Sequence, residues 1–176
     1  MITKMIEKIV AKIEKLSELF GSISSWIILV LIFSTVYEVF SRYMLNSPTI
    51  WSFEISYMAV GCIVLLGSAL TLKQGAHIRI DLFYSNLTER KKNLINIFGY
   101  LILYIPLGIW LTYQLSLYAY EAFQTGEQSG ESAWNPIIWP YRLVFSLGIF
   151  LLTLQSIAEV IKNIATLKMS TSNINE

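Results

Sequence analysis

Residues 94–123, LINIFGYLILYIPLGIWLTYQLSLYAYEAF, contain no charged side chain before Glu121. A helix of roughly 20 apolar residues is enough to cross a bilayer core about 30 Å thick. As a helix at about 1.5 Å per residue, this stretch would be roughly 45 Å long, so it must tilt or project beyond the bilayer. Pro106 lies inside the stretch and predicts a kink. We therefore predict that this segment spans a membrane.

Three other stretches of the chain are as apolar as this one. The four predicted spans cover about residues 22–43, 51–72, 94–123 and 137–158. The whole chain of 176 residues is 55% hydrophobic and only 14% charged, which is too apolar for a soluble domain of this size. The predicted fold class is an all-α membrane protein with four transmembrane helices.

Local sequence signals indicate where three of the spans begin. Asn46 is followed two residues later by Pro48, and Asn135 is followed directly by Pro136. A capping side chain before a proline is typical of a first helical turn, so spans two and four are predicted to start there. Thr88, followed by an acidic residue, predicts that the helix of span three begins before the membrane does.

The first twenty residues have a different pattern from the spans. Apolar side chains recur at three- and four-residue steps, and lysines form a stripe on another face. This pattern is typical of a helix in the membrane interface, so residues 1–20 are predicted to be an amphipathic interfacial helix that contacts membrane lipid. No small-residue cleavage site follows, so we expect the segment to be retained. The apolar residues are Ile2, Met5, Ile6, Ile9, Ile13 and Leu16, and the basic residues are Lys4, Lys8, Lys12 and Lys15.

The distribution of basic residues predicts the orientation of the chain. Eleven of the 13 lysines and arginines lie in the N-terminal segment, the loop after span two and the tail of residues 160–176. Only Arg42 and Arg142 lie on the other side, so the positive-inside rule predicts that both termini are cytoplasmic. The net charge of +1 gives no indication of nucleic-acid binding. The aromatic belt predicted at the outer interface consists of Trp51, Trp134, Trp139 and Tyr141.

The sequence contains little that could perform chemistry. An ionisable side chain at the bilayer centre costs about 2.5–3.5 kcal/mol or more, and the predicted spans avoid this cost at mid-depth. His77 is the only histidine and lies outside the spans, so a haem held by two histidines is excluded. Cys62 is the only cysteine, which excludes an intramolecular disulfide. Phosphate-binding loops and nucleophile elbows are also absent, so we predict a protein that is not an enzyme and holds no cofactor or metal.

The charged residues within the spans cluster near the outer face. Glu38 and Arg42 are four residues apart with the acid first, the favourable order for an ion pair on one helix. The short linker after span one predicts an antiparallel hairpin that brings Arg42 near Trp51 and Glu54, so Arg42 would lie between two carboxylates. The cluster would fix the hairpin, contact a partner protein, or bind a transported ion. On span four, Arg142 lies one turn from the start, close to Trp139.

The loop after span two is predicted to be an ordered turn. Gly75 is a predicted C-terminal glycine of the preceding helix. Beyond it, Asp81 is expected to contact either His77 or Arg79. One histidine and one aspartate indicate a metal site only weakly.

A set of short motifs follows one another along about residues 22–159. They are Arg42-Tyr43, Asn46, Pro48, Trp51-x-x-Glu54, Gly67-x-Ala69 and Gly75-x-His77-Ile78-x-x-Asp81, followed by Trp139, Gly148 and Leu154-Gln155. In this order, the motifs resemble the small membrane subunit of tripartite ATP-independent periplasmic (TRAP) transporters, the DctQ type. The resemblance implies a sodium-driven importer of organic acids in the bacterial inner membrane.

The resemblance also implies specific partners. In such a transporter a large multi-span membrane subunit holds the substrate and sodium sites, and a periplasmic binding protein delivers the substrate. The small subunit is a scaffold that anchors the stationary part of the large, elevator-type subunit. The motif residues Arg42, Trp51, Glu54, His77 and Asp81 would then be interface or shape determinants, as would Gly75.

Two alternatives remain open at the level of the sequence. The first is an autonomous homo-oligomeric transporter that uses Glu38 or Glu54 for ion coupling. The second is a membrane anchor for an enzyme complex, which the lack of cofactor ligands disfavours.

Overall fold

A computed structural model describes residues 2–75 and 88–172. Four helical stretches are long and apolar enough to cross a membrane: Met5–Met44, Ser52–Lys73, Lys91–Thr125 and Trp139–Leu167. In the described ranges the only β-type pairing is an isolated bridge in one loop. The predicted class, an all-α membrane protein with four transmembrane helices, is confirmed. The helices are α1 (Ile2–Met44), α2 (Ser52–Lys73), α3 (Glu89–Phe98), α4 (Ile105–Thr125) and α5 (Trp139–Ser172), with a π-helical segment, Gly99–Tyr104, between α3 and α4.

The segment predicted as a separate interfacial helix and the first span form one uninterrupted helix, α1. Gly21 lies at their junction, where an added Cβ would lie 2.7 Å from Cβ of Leu70 on α2. The glycine therefore serves the close approach of two helices and does not end the first one. At about 1.5 Å per residue, the 43 residues of α1 extend over about 64 Å, roughly twice the thickness of a bilayer core. The interfacial position of its N-terminal part stays a prediction.

The two asparagine–proline signals do not mark helix starts. Helix α2 begins at Ser52 and α5 at Trp139, so Pro48 and Pro136 lie in the preceding loops. Asn46 and Asn135 have positive φ angles of 51° and 46°. Asparagine is one of the few residues that tolerates this left-handed conformation, so these residues form turns instead of caps. The prediction that spans two and four start at the prolines is therefore wrong by a few residues.

The third span begins as the sequence predicts, and its helix is irregular directly before Pro106. Thr88 has extended backbone angles and directly precedes α3, so the helix does start before its apolar part. Pro106 lies in the first turn of α4, immediately after the π-helical segment. Proline lacks the N–H that would bond to the carbonyl four residues earlier, and a π-helical turn accommodates that missing bond. The kink predicted at Pro106 stays a prediction.

Helix α5 is the centre of the packing. It contacts α1, α2, α3 and α4, whereas α1 packs mainly on α2 and meets α4 at most marginally. Leu66 and Ala69 of α2 and Leu151 of α5 form a cluster of buried apolar side chains. The helices therefore form an open row around α5 in the described part of the chain, and α1 and α4 lie at its two sides.

Small residues set the closest approaches in this row. Gly148 of α5 lies against Leu65 of α2, where an added Cβ would be 3.0 Å from the carbonyl carbon of Leu65. Gly61 of α2 makes room for the hydroxyl of Tyr141, and Gly108 of α4 makes room for the side chain of Thr153. Close backbone approach at small residues is a main source of stability between membrane helices.

Candidate functional site

Two loops meet at one end of the helix row, which we call the hairpin end. The α1–α2 loop comprises residues 45–51 and the α4–α5 loop comprises residues 126–138. They lie at the same end because Ser132 of the second loop donates a hydrogen bond to Glu54 in the first turn of α2. The other end of the row, where α1 starts and α2 ends, is called the terminal end below. Most candidate residues from the sequence lie at the hairpin end.

The predicted ion pair between Glu38 and Arg42 is present. Arg42 donates to Oε1 of Glu38 from Nε at 2.9 Å and from Nη2 at 2.5 Å. The other oxygen of Glu38 accepts hydrogen bonds from the backbone N–H of Thr49, at 2.9 Å, and from its hydroxyl. This carboxylate therefore fixes the α1–α2 loop to α1.

Glu54 does not lie beside Arg42, so the expected arginine between two carboxylates is not formed. Glu54 is completely buried and faces the α4–α5 loop, where Oε1 accepts the hydrogen bond from Ser132. Its Oε2 has no hydrogen-bond partner among the described residues. The short linker between the first two spans does not determine this position, because the α4–α5 loop lies against the first turn of α2. A buried carboxyl group is costly unless it is hydrogen-bonded, so the contact with Ser132 stabilises the link between the two hairpins.

Arg142 forms the second ion pair at this end. Its Nη1 and Nη2 donate to the two carboxylate oxygens of Glu127 at 2.5 Å and 2.6 Å. The guanidinium carbon also lies 3.5 Å from the ring centroid of Tyr118, which is a cation–π contact. Hydrogen bonds from Arg142 lower the pKa of the Glu127 carboxyl below its ordinary value. Glu127 could not be recognised as the partner from the sequence, because no spacing rule connects a loop residue to a helix residue fifteen positions later.

The α4–α5 loop has a fixed conformation. Gln128 and Ile137 form an isolated antiparallel bridge. The side-chain amide of Asn135 donates to Oε1 of Gln128 at 2.6 Å, and the backbone N–H of Ser129 donates to the carbonyl of Pro136 at 2.9 Å. These bonds, together with those of Glu54 and Arg142, tie the loop to itself, to α2 and to α5.

The surface of this loop is mixed in character. Glu131 is exposed, Trp134 is 40% exposed and Ile137 is 55% exposed. An exposed aromatic side chain beside an acidic one, on a loop held by internal bonds, is a suitable surface for contact with another protein.

Two of the three tryptophans singled out in the sequence contact neighbouring rings. Trp51 lies with its ring centroid 5.6 Å from that of Tyr37 on α1. Trp139, the first residue of α5, makes an edge-to-face contact with Phe123 of α4 at 5.4 Å. Each ring therefore joins two helices at the hairpin end.

The loop motif at the terminal end is described only in part. Gly75 has a φ angle of +67°, and its N–H donates to the carbonyl of Leu72 at 3.0 Å, as expected of a C-terminal glycine. His77, Arg79 and Asp81 lie outside the described residues, so their predicted contacts stay predictions.

An ion-pair network joins three helices at the terminal end. Glu14 of α1 lies 3.7 Å from Nζ of Lys73 on α2 and 2.9 Å from Nζ of Lys162 on α5. Lys73 also pairs with Glu18 at 2.7 Å, and Lys162 with Glu159 at 2.5 Å. Sequence analysis did not identify this network, since its members are far apart in the chain.

Polar side chains between the helices bond to one another. Ser34 of α1 lies 2.9 Å from the hydroxyl of Ser52 on α2. Ser17 donates to the side-chain amide oxygen of Gln155 at 2.9 Å. In the ranges that the structure describes, no three histidine, cysteine, aspartate or glutamate side chains lie close enough together to hold a metal ion. These hydrogen bonds between helices serve helix packing.

The fold and these contacts define a four-span membrane protein whose polar side chains join its own helices and loops. The family model of the tripartite ATP-independent periplasmic transporters, DctQ component, matches residues 31–166. The chain therefore belongs to this family: it is a small TRAP transporter component and not an enzyme. Together with the four spans, this membership supports a multi-pass protein of the bacterial inner membrane.

A curated relative is also similar to part of the chain. The sialic acid TRAP transporter small permease protein SiaQ of Vibrio cholerae serotype O1 is 27% identical over 89 residues. The alignment covers 51% of this chain and 48% of the relative, so the chain matches about half the length of that protein.

Proposed function

We propose that this chain is the non-catalytic scaffold subunit of a sodium-coupled TRAP transporter that imports an organic acid. It anchors the stationary part of a large, elevator-type membrane subunit and helps to dock a periplasmic substrate-binding protein. The observation that carries the proposal is that charged side chains at both ends of the helix row are paired within the chain: Glu38 with Arg42, Glu127 with Arg142 and Glu14 with Lys162. A scaffold needs packed helices and a docking surface, and it needs no ion-binding groups at membrane depth.

The open arrangement of the helices supports a dependence on a larger partner. A transport pathway requires an enclosed polar route, whereas this row has α5 at its centre and apolar surfaces on both sides. Of the residues in α4, Gly108, Ala119 and Ala122 are buried. The broad remaining surface of α4 is therefore available to lipid or to another membrane protein.

The hairpin end supports the docking role. The α4–α5 loop is held by Glu54 and Arg142, and it exposes Trp134 and Glu131. A loop that is already ordered loses little conformational entropy when it binds, which favours its use as a docking surface. We assign the periplasmic binding protein to this end, with Glu38, Arg42 and Glu54 as residues that shape it.

The autonomous transporter gains no support from the same residues. Glu38 is bonded to Arg42 and Thr49, and Glu54 to Ser132, all at the hairpin end. Carboxylates neutralised or buried at one end of the row are poorly placed to carry an ion across it.

Purification of the tagged chain from its native membranes tests the scaffold proposal. We expect the large multi-span TRAP subunit to be recovered with it, identified by mass spectrometry, and absent from a matched purification with an unrelated four-span protein. In proteoliposomes with the periplasmic binding protein, sodium-driven uptake is expected to require both membrane subunits. Recovery of the chain alone, or solute accumulation by the chain alone under an imposed sodium gradient, would contradict the proposal.

The proposed orientation places both termini in the cytoplasm, which puts the hairpin end on the periplasmic side. It is supported by the distribution of lysine and arginine. In a Cys62→Ser background, a membrane-impermeant maleimide added to intact cells is expected to label Glu131→Cys and to leave Lys8→Cys unlabelled until the cells are lysed. The reverse labelling pattern would show that the orientation is inverted.

A further inference from the structure

The N-terminal arm, defined here as residues 5–19 of α1, lies outside the range matched by the family model, residues 31–166. The arm is helical and continuous with the first span. Its acidic, basic and apolar side chains lie on different sides of the helix, and each of these three sides has a different environment.

The acidic side chains face the rest of the protein. Glu14 pairs with Lys73 of α2 and Lys162 of α5, and Glu18 pairs with Lys73. Between them, Ser17 is buried and donates to Gln155. This side of the arm is therefore occupied by contacts within the chain, and two of its negative charges are neutralised there. Glu7 lies two turns before Glu14 on this acidic side and is exposed.

The lysines point away from these contacts. Lys8, Lys12 and Lys15 are exposed, and in the part of the chain that is described none of them has an ion-pair partner. At about 3.6 residues per turn, or about 100° per residue, they lie roughly 60° to 160° around the helix from Glu14 and Glu18. The arm therefore presents a stripe of uncompensated positive charge.

An apolar surface borders this stripe on the side away from the acids. It consists of side chains between 36% and 59% exposed: Met5, Ile9, Leu16 and Leu19. Apolar side chains next to lysines on one helix are suited to the boundary between headgroups and acyl chains, because the long lysine stem can reach the phosphate layer.

We propose that the N-terminal arm binds anionic phospholipid headgroups through Lys8, Lys12 and Lys15, with its apolar surface at the boundary between headgroups and acyl chains. A lipid is favoured over a protein partner because the stripe has one sign of charge and directly adjoins exposed apolar side chains. Each lysine near an anionic membrane surface contributes about 1 kcal/mol to binding, which corresponds to roughly a fivefold preference for anionic over neutral lipid. The inference concerns this chain alone and does not depend on the proposed transporter complex.

Local fluorescence quenching in vesicles tests the proposal. The full chain carries Cys62→Ser and Ala11→Cys, is labelled with bimane at position 11, and is reconstituted in phosphatidylcholine vesicles. Dibrominated phosphatidylglycerol or dibrominated phosphatidylcholine is then added as the quencher. We expect phosphatidylglycerol to be preferred at the arm by at least about fivefold, the contribution of a single lysine, and the preference to fall as salt is raised.

Three variants separate charge from other effects. Lys8→Gln/Lys12→Gln/Lys15→Gln is expected to remove the preference, and the corresponding triple arginine variant is expected to keep it. Lys91→Gln, which changes an exposed lysine on α3, is expected to have no effect. Equal quenching by the two lipids in the parent chain, or a preference that survives the triple glutamine change, would overturn the proposal and leave the arm as a surface for protein contact. Loss of the preference in the arginine variant would also overturn it.

Discussion

Replacement of Gly148 with alanine is expected to separate α5 from α2 and to destabilise the whole helix row. The added methyl carbon would lie 2.7 Å from Cβ of Leu65 and 3.0 Å from its carbonyl carbon and oxygen. The backbone must shift to relieve this overlap, and overpacking of this kind costs typically about 1–3 kcal/mol. The midpoint of denaturation by sodium dodecyl sulfate in mixed micelles, followed by circular dichroism, should fall accordingly.

Gly99→Ala is the matched control for this change. An added Cβ at Gly99 meets no heavy atom within 4 Å, so the same substitution should leave the denaturation midpoint nearly unchanged or raise it slightly. If Gly99→Ala and Gly148→Ala behaved alike, the close approach of α2 and α5 would not be a determinant of stability.

Replacement of Arg142 with glutamine is expected to loosen the α4–α5 loop and to lower the stability of the hairpin end. The change removes the paired hydrogen bonds to Glu127 and the contact with the Tyr118 ring. The Arg142 side chain is 10% exposed, whereas that of Arg42 is 58% exposed. The exposed pair of Arg42 and Glu38 is screened by solvent and therefore contributes less to stability. We expect the shift of the denaturation midpoint in Arg142→Gln to be roughly three times that in Arg42→Gln.

The pH dependence of this effect follows from the Glu127 carboxyl. Its native pKa is below the ordinary value of 4.5, because Arg142 donates hydrogen bonds to the ionised form. The contribution of the pair is therefore fully present above the unfolded pKa and is lost as the pH falls through the lower native pKa. The difference between the parent chain and Arg142→Gln should be constant from about pH 8 to about pH 6 and should shrink in acid. A difference that grew in acid would assign the stabilisation to another group.

The spans could be read from the sequence because the bilayer imposes a simple requirement. An apolar run long enough to cross it must be helical, so composition and length alone locate the four helices. The pair of Glu38 and Arg42 was also predictable, since residues four apart lie on the same face of one helix. Gly75 followed from the left-handed conformation that a helix end requires.

Contacts between segments that are distant in the chain could not be predicted from the sequence. Glu54 and Ser132 are 78 residues apart, and their contact depends on how the two hairpins are placed beside each other. The same limitation applies to Glu14, which reaches Lys162 at a separation of 148 residues. Asn46 and Asn135 were misread for a local reason, because asparagine is common both as a cap and as a left-handed turn residue.

The central position of α5 also bears on how the protein is made. Helices enter the membrane in the order in which the ribosome delivers them, and α5 follows the other four. The α1–α2 hairpin can assemble early, but its connection to α4 must wait until α5 has left the translocon. A ribosome that stalls before residue 139 would therefore leave the α1–α2 hairpin and the α3–α4 segment joined by the chain but not packed on a common helix, and quality-control proteases should remove them.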